Sequence, residues 1–228
     1  MSRKLLALFC SFLALALDVR AQDANPAAGT NATLEERLRQ AQVRETRTSS
    51  GAVFQEIRFA GSLQPNFILD CITMSDVTSQ MNPPALHLAG KKCIRAKEYA
   101  KAWALIMTAD GFAYYDVTRL ADRSARGARG VLPMTVYGDL TDEERAAYTN
   151  KGSELLQDPR HVPAYCAALS KVGPPAYEPL WAILHGIGAY SEQEPRSGHY
   201  LTNVDAKALW DEVVRNRCNP KWYEPSPR

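Results

Sequence analysis

The 228-residue chain lacks the short motifs that mark the best-known catalytic sites. It contains no HExxH, GxSxG, GxxxxGK or GxGxxG sequence. A metalloprotease helix, a serine-nucleophile elbow, a P-loop and a dinucleotide-binding turn therefore have no basis in the sequence. No cysteine belongs to a CxxC motif, and no cysteine–histidine spacing resembles a zinc site. No metal ion or cofactor is predicted.

The chain that follows the N-terminal segment also has no excess of basic or acidic residues. A short basic segment precedes an apolar run at residues 5–17, and Val19 and Ala21 satisfy the small-residue rule for cleavage after Ala21. We expect a signal peptide over residues 1–21, with an uncleaved anchor as the alternative. Of the 27 basic and 25 acidic residues, three and one lie in that segment, which leaves 24 of each sign. A neutral chain without a second apolar run predicts neither nucleic-acid binding nor a further membrane span.

Four cysteines follow residue 21, and an even number in an exported chain is typical of disulfide bonds. Three pairings are possible. We favour Cys71–Cys93 and Cys166–Cys218, because each bond then joins neighbouring elements within one half of the chain. Free buried thiols are the alternative. The disulfides and the signal peptide together predict a periplasmic or secreted protein.

Composition divides the chain into four parts. The signal peptide is followed by a small, polar and flexible arm at residues 22–32. A single helical domain is expected over residues 33–218. Residues 219–228 contain three prolines and are expected to form an extended tail.

Helical periodicity and helix-start signals dominate the predicted domain. Capping boxes begin at Thr33 and Thr141, and the first is expected to start a helix that runs to about Arg44. Partial alternation at residues 53–59 is consistent with one short β-strand. Strands and helices do not alternate, so an α/β sheet is not expected. The fold class predicted is mainly α, a compact, disulfide-stapled bundle of six to eight helices with helical hairpins and at most that one strand.

Residues 84–110 form the clearest local unit, two apolar-striped helices joined by a tight connection. This hairpin resembles a single tetratricopeptide-type repeat, in which small residues let two helices approach and aromatic residues fill the gaps. The residues that carry the resemblance are Gly90, Tyr99, Ala102 and Ala109 at the small and aromatic positions, and Leu86, Cys93 and Ile106 at the large apolar positions. Asp110-Gly111 is expected to end the second helix, and residues 130–138, which include Pro133, are expected to form a connection.

Charged residues occupy much of the segment between that hairpin and the connection. They are Asp116, Arg119, Asp122, Arg123, Arg126 and Arg129. Opposite charges three and four residues apart on a helix are typical of a solvent-exposed face. A ligand-binding arginine cluster is the alternative interpretation.

Aromatic residues are concentrated near one Gly- and Pro-rich region, which is consistent with a recognition surface and equally with a packed core. The candidate binding residues there are Tyr177, Trp181, His185, Tyr190 and Tyr200. Residues 179–190 are expected to be a helix, in which Gly186 and Gly188 indicate close packing or a helix end. His185 is also the one candidate catalytic residue. It requires an acid or base partner from His199, Glu192, Glu194 or Asp205.

Three functions are compatible with these features. The first is a non-enzymatic periplasmic protein that binds another protein, as an immunity-type inhibitor or an envelope assembly factor. The second is a small hydrolase or lyase that uses His185 and a nearby carboxylate. The third is a carrier of an apolar ligand held between helices.

Overall fold

The structure, a computed structural model, describes residues 61–190 and 199–219 together with the backbone of two strands. Strand β1 (Gln42–Arg47) pairs antiparallel with strand β2 (Val53–Arg58), and Gln42 lies opposite Arg58. The strand expected at residues 53–59 is therefore present, and the sheet has one strand more than predicted. The first predicted helix is wrong at Gln42–Arg44, which belong to β1. Its earlier part, the signal peptide, the arm and the tail lie outside the described residues.

Seven α-helices form the rest of the described fold, as the sequence predicts for a mainly helical bundle. In chain order they are α1 (Pro83–Arg95), α2 (Tyr99–Arg119), α3 (Gly127–Tyr137), α4 (Asp142–Gln157), α5 (His161–Val172), α6 (Leu180–Ile183) and α7 (Ala206–Arg217). Three 3₁₀ turns accompany them, at Met74–Asp76, Arg123–Arg126 and Ile187–Tyr190. Among the described residues, no helix is both long and apolar enough to cross a lipid bilayer.

Side-chain caps explain where several helices begin. The Asn82 side chain accepts a hydrogen bond from the amide of Ala85 at the start of α1. The capping box predicted at Thr141 is present, because Thr141 and Glu144 bond each other's backbone amides. Asp205 caps α7 by accepting from the amides of Lys207 and Ala208.

Two predicted interruptions are helical in the structure. Helix α2 continues past Asp110-Gly111, because Gly111 serves close helix packing: a Cβ there would lie only 3.2 Å from Val213 Cγ1 on α7. Residues 130–138 belong mostly to α3 and keep Pro133 inside the helix. Proline removes one helical hydrogen bond, and here Leu132 and Val136 are buried on either side of it.

The long helix α2 lies at the centre and contacts α1, α3, α4 and α7. Its buried residues belong to two apolar clusters. The larger cluster joins α2 to α1, α5 and α7, and includes Trp103, Phe112 and Trp210. The smaller one joins the C-terminal part of α2 to α3 and α6, and includes Trp181.

Both favoured disulfide bonds are present. Cys71–Cys93 attaches the segment before α1 to that helix, across 22 residues of sequence. Cys166–Cys218 joins α5 to the residue after α7, across 52 residues. The predicted pairing and the helical fold class are therefore confirmed.

Candidate functional site

A buried carboxylate near the end of α2 organises the region that the sequence marks for recognition. Asp116 has no exposed surface. Its Oδ2 accepts hydrogen bonds from the Tyr177 hydroxyl at 2.8 Å and from Trp181 Nε1 at 2.9 Å. Arg119 donates to Oδ1 at 3.3 Å. These bonds attach the loop before α6, and α6 itself, to the centre of the bundle.

Arg119 extends the same cluster towards the surface. Its guanidinium lies 4.1 Å from the ring centroid of Tyr115 and 5.2 Å from that of Tyr200. The Arg119 carbonyl accepts from the amide of Leu201 at 2.8 Å, which fixes the residue next to Tyr200. The favourable interaction of a cation with two aromatic faces offsets part of its loss of hydration.

Three of the five predicted binding residues, Tyr177, Trp181 and Tyr200, therefore meet around Asp116 and Arg119. Trp181 is itself buried, and Tyr200 is 36% exposed. The side chain of Tyr190 lies outside the described residues. The solvent-exposed face predicted for the charged segment is wrong at Asp116, because Asp116 shares the buried side of α2 with Phe112 and Ala113.

Burial raises the pKa of Asp116 to about 7. Removing a carboxylate from water disfavours its charged form, whereas hydrogen bonds from Trp181, Tyr177 and Arg119 favour it. Burial is the larger effect. Asp116 consequently changes its protonation near neutral pH while it remains inside the fold.

The pH dependence of stability should show this titration. Since the pKa of Asp116 is about 7 in the folded protein and 3.8 ordinarily, the folded state holds the proton more tightly. The contribution of Asp116 to the free energy of unfolding is therefore fully present below about pH 4 and is lost as the pH rises through about 7. Urea unfolding should show the free energy of unfolding of the wild type falling relative to D116N across that range, by at most about 1.4 kcal/mol per pH unit. A constant difference between the two proteins would contradict the assignment.

The second half of the aromatic region depends on another carboxylate. Asp122 Oδ2 accepts from the Gly188 amide at 2.8 Å, and Ser124 Oγ accepts from the Ile187 amide at 2.7 Å. A Cβ at Gly186 would lie 2.3 Å from Asp122 Oδ2, and one at Gly188 would lie 2.7 Å from it. Only glycine fits at these positions. The predicted helix over residues 179–190 is wrong beyond Ile183, because the chain turns there to wrap this carboxylate.

His185 occupies a structural position in the described chain. Its Nδ1 lies 3.2 Å from the hydroxyl of Ser62, which is buried in a turn whose neighbours Gly61 and Leu63 both have positive φ. Leu63 donates its amide to the carbonyl of Trp181 at 2.9 Å. The contact therefore helps hold the 61–63 turn against α6. Sequence reasoning missed Ser62, which is 123 residues away from His185.

Of the partners proposed for catalysis by His185, Asp205 has a structural role, His199 is described through a backbone contact, and two lie outside the described residues. Asp205 caps α7, and the carbonyl of His199 accepts from the Ala121 amide at 2.9 Å. Glu192 and Glu194 fall in the part of the chain that is not described. Within the described ranges, no three His, Cys, Asp or Glu residues are grouped to hold a metal ion. Catalysis by His185 stays a prediction.

A second histidine has carboxylate and phenol neighbours but no access to solvent. His87 is buried, and its Nδ1 lies 2.8 Å from the Tyr137 hydroxyl while its Nε2 lies 3.7 Å from Asp110. Burial lowers the pKa of His87 to about 4, against the attraction of Asp110. The imidazole is neutral at physiological pH and packs α1 against α3.

Comparison of the chain with protein-family models, with curated proteins and with solved structures finds no match. The resemblance of residues 84–110 to a tetratricopeptide-type hairpin therefore stays a prediction. The physical basis of that prediction is visible in α1 and α2, where Gly90 lies against Ile106 and a Cβ at Gly90 would be 2.8 Å from Ile106 Cγ1. Such close packing suits many helical hairpins, so function has to be argued from the site itself.

Proposed function

We propose that this chain is an exported, non-enzymatic helical protein of the periplasm that binds another protein through residues 177–190. One observation carries the proposal: this segment exposes apolar side chains on a backbone that hydrogen bonds to Asp122 and Ser124 hold in place. Leu180 is 43% exposed and Ile187 is 76% exposed. Exposed apolar side chains mark a protein-interaction site when they form one patch, and we propose that these two do.

The fixed backbone is what distinguishes Ile187 from an ordinary surface residue. Its own amide is bonded to Ser124, and the next amide is bonded to Asp122. The conformational entropy of ordering this turn is therefore lost during folding and not during association. An anchor that is already ordered binds a partner more tightly for the same contact area.

The compartment is proposed from two features. Disulfide bonds such as Cys71–Cys93 and Cys166–Cys218 persist in oxidising compartments, which include the periplasm and the extracellular space. The apolar run at residues 5–17 has the character of an export signal. An immunity-type inhibitor and an envelope assembly factor are the two forms of this proposal that fit that location.

Site-specific photocrosslinking tests the proposed surface directly. Benzoylphenylalanine placed at Ile187 is expected to capture a protein partner when the chain is irradiated in the cells that produce it. The same photoreactive residue at Ile68 is the matched control, because Ile68 is 97% exposed in a different segment. Mass spectrometry of an adduct unique to position 187 identifies the partner.

Aspartate substitutions then test whether the contact contributes to affinity. I187D should weaken binding of the identified partner by about 100-fold or more, because a buried hot spot is worth about 2 kcal/mol or more and the charge adds a desolvation cost. I68D should leave the affinity unchanged. Equal losses in both variants, or no adduct at position 187, would contradict binding through this segment.

A further inference from the structure

A cavity of about 500 Å³ lies between α2, α3 and α7, on residues that the protein-binding proposal does not use. Its volume is within the range of small-molecule sites. Met107 and Val213 give it apolar walls. Gly111 lets α7 pack closely against α2, because a Cβ at this position would lie 3.2 Å from Val213 Cγ1 and 3.8 Å from Arg217 Nε. The backbone of Gly111 therefore forms part of the cavity wall.

Two arginines line this cavity, and no acidic residue does. Arg217 is compensated in part, with its guanidinium 3.7 Å from Asp110 Oδ2. Arg129 is not compensated: among the described residues, no carboxylate lies within ion-pair distance of it. Its guanidinium lies 5.3 Å from the ring centroid of Tyr114, which holds it at the cavity.

One acid in contact with the cavity lining already has a hydrogen-bond donor. Glu212 accepts a hydrogen bond from the Tyr114 hydroxyl at 2.9 Å, and this bond leaves the Tyr114 ring against Arg129. Asn216 adds a polar amide to the lining. The cavity thus combines apolar walls with an arginine that has no carboxylate of the described residues within ion-pair distance.

We propose that this cavity binds a small amphipathic monoanion, an aliphatic carboxylate of roughly eight to twelve carbon atoms in all. The carboxylate pairs with Arg129, whose planar guanidinium matches its two oxygens. The apolar body lies against Met107 and Val213. This ligand differs from the purely apolar one that the sequence suggests, and the proposal holds whether or not residues 177–190 bind a protein.

The charge of the ligand head group distinguishes this site from a general apolar cavity. A neutral alcohol of the same length fills the same volume but leaves Arg129 unpaired. An ammonium group places like charge beside Arg129 and Arg217, which disfavours binding. Affinity should therefore follow head-group charge at constant chain length.

Isothermal titration calorimetry with three eight-carbon probes tests this order. Octanoate is expected to bind the disulfide-bonded protein at least about tenfold more tightly than octan-1-ol, because only octanoate can form a charge-assisted hydrogen bond with Arg129 through a carboxylate. Octylammonium is expected to give no binding. Octanoate that binds no more tightly than octan-1-ol would overturn the proposal.

Substitution of Arg129 locates the interaction. R129Q should reduce octanoate affinity to that of octan-1-ol and leave octan-1-ol binding unchanged. R126Q is the matched control, because Arg126 is exposed and lies outside the cavity lining. If R129Q does not change the affinity for octanoate, or if R126Q lowers that affinity as much as R129Q does, octanoate binds by general surface charge and the proposal fails.

A measurement on the unaltered chain covers the case in which R129Q does not fold. Nuclear Overhauser effects between octanoate and the methyl groups of Val213 are expected, and their absence with bound octanoate would also overturn the proposal. I187D should leave octanoate binding intact. A failure of the protein-binding proposal is thereby separated from a failure of this one.

Discussion

Replacing Asp116 with alanine should lower the free energy of unfolding below about pH 6 by about 2–6 kcal/mol, because two buried hydrogen-bond donors lose their acceptor at about 1–3 kcal/mol each. D116A leaves the hydroxyl of Tyr177 and the indole N–H of Trp181 without an acceptor in a site where Asp116 has no exposed surface. It also removes the carboxylate next to Arg119. Urea unfolding followed by circular dichroism measures the loss.

Two further variants show whether the loss comes from the missing acceptor. D116N keeps an oxygen for Tyr177 and Trp181, so it should recover most of the stability near neutral pH. D211A is the matched control, because Asp211 is an exposed helical aspartate paired with Lys207, and surface pairs contribute about 0–1 kcal/mol. A D116A loss no larger than that of D211A would show that the cluster does not hold the segment in place.

The same substitution connects stability to the proposed interface. Asp116 binds Tyr177 and Trp181, which border the exposed Leu180 on both sides. Loss of these bonds should loosen residues 177–190 before the rest of the bundle unfolds, because local opening follows the weakest cooperative unit. Partner affinity should then fall in D116A at urea concentrations where the helical signal is still native.

The helical bundle and its disulfide bonds could be predicted because their signals are local. The capping box at Thr141 fixes a helix start within four residues, and Gly173, with φ of 74°, ends α5 in a backbone conformation that glycine favours. Cys71 and Cys93 are only 22 residues apart, and the bond attaches the segment before α1 to α1 itself, so elements that are adjacent in sequence are joined. These patterns depend on few residues at short range.

Only part of the candidate site could be predicted from the sequence. The aromatic residues were visible as a cluster, but their acceptor Asp116 is 61 residues from Tyr177 and 65 from Trp181. The three-residue spacing of Asp116 and Arg119 shows that the two charges share a helix face. It does not show whether that face is buried. Asp122 and Gly188 meet in the same way across 66 residues. Long-range pairing of this kind depends on how the helices pack.

Removing the Cys166–Cys218 bond should cost about 4 kcal/mol, and removing Cys71–Cys93 about 3 kcal/mol, in the chain-entropy description of a cross-link. The difference follows from the lengths of the closed loops, with sequence separations of 52 and 22 residues. The variants C166A/C218A and C71A/C93A are compared with the wild type by urea unfolding without reductant. A larger loss in C71A/C93A would mean that native packing around Cys93, which is fully buried, outweighs the effect on the unfolded chain.

The two bonds should also differ in their effect on the cavity. Cys218 directly follows α7, which supplies Val213, Asn216 and Arg217 to the cavity lining, whereas Cys93 is on α1, which supplies none. Without its bond to α5, the end of α7 loses its covalent attachment, and its last helical hydrogen bonds fray more easily. C166A/C218A should therefore weaken octanoate binding while the protein is still folded, and C71A/C93A should leave it unchanged. Equal affinities in the two variants would show that α7 is positioned by its contacts with α2 alone, with Gly111 against Val213 as the decisive contact.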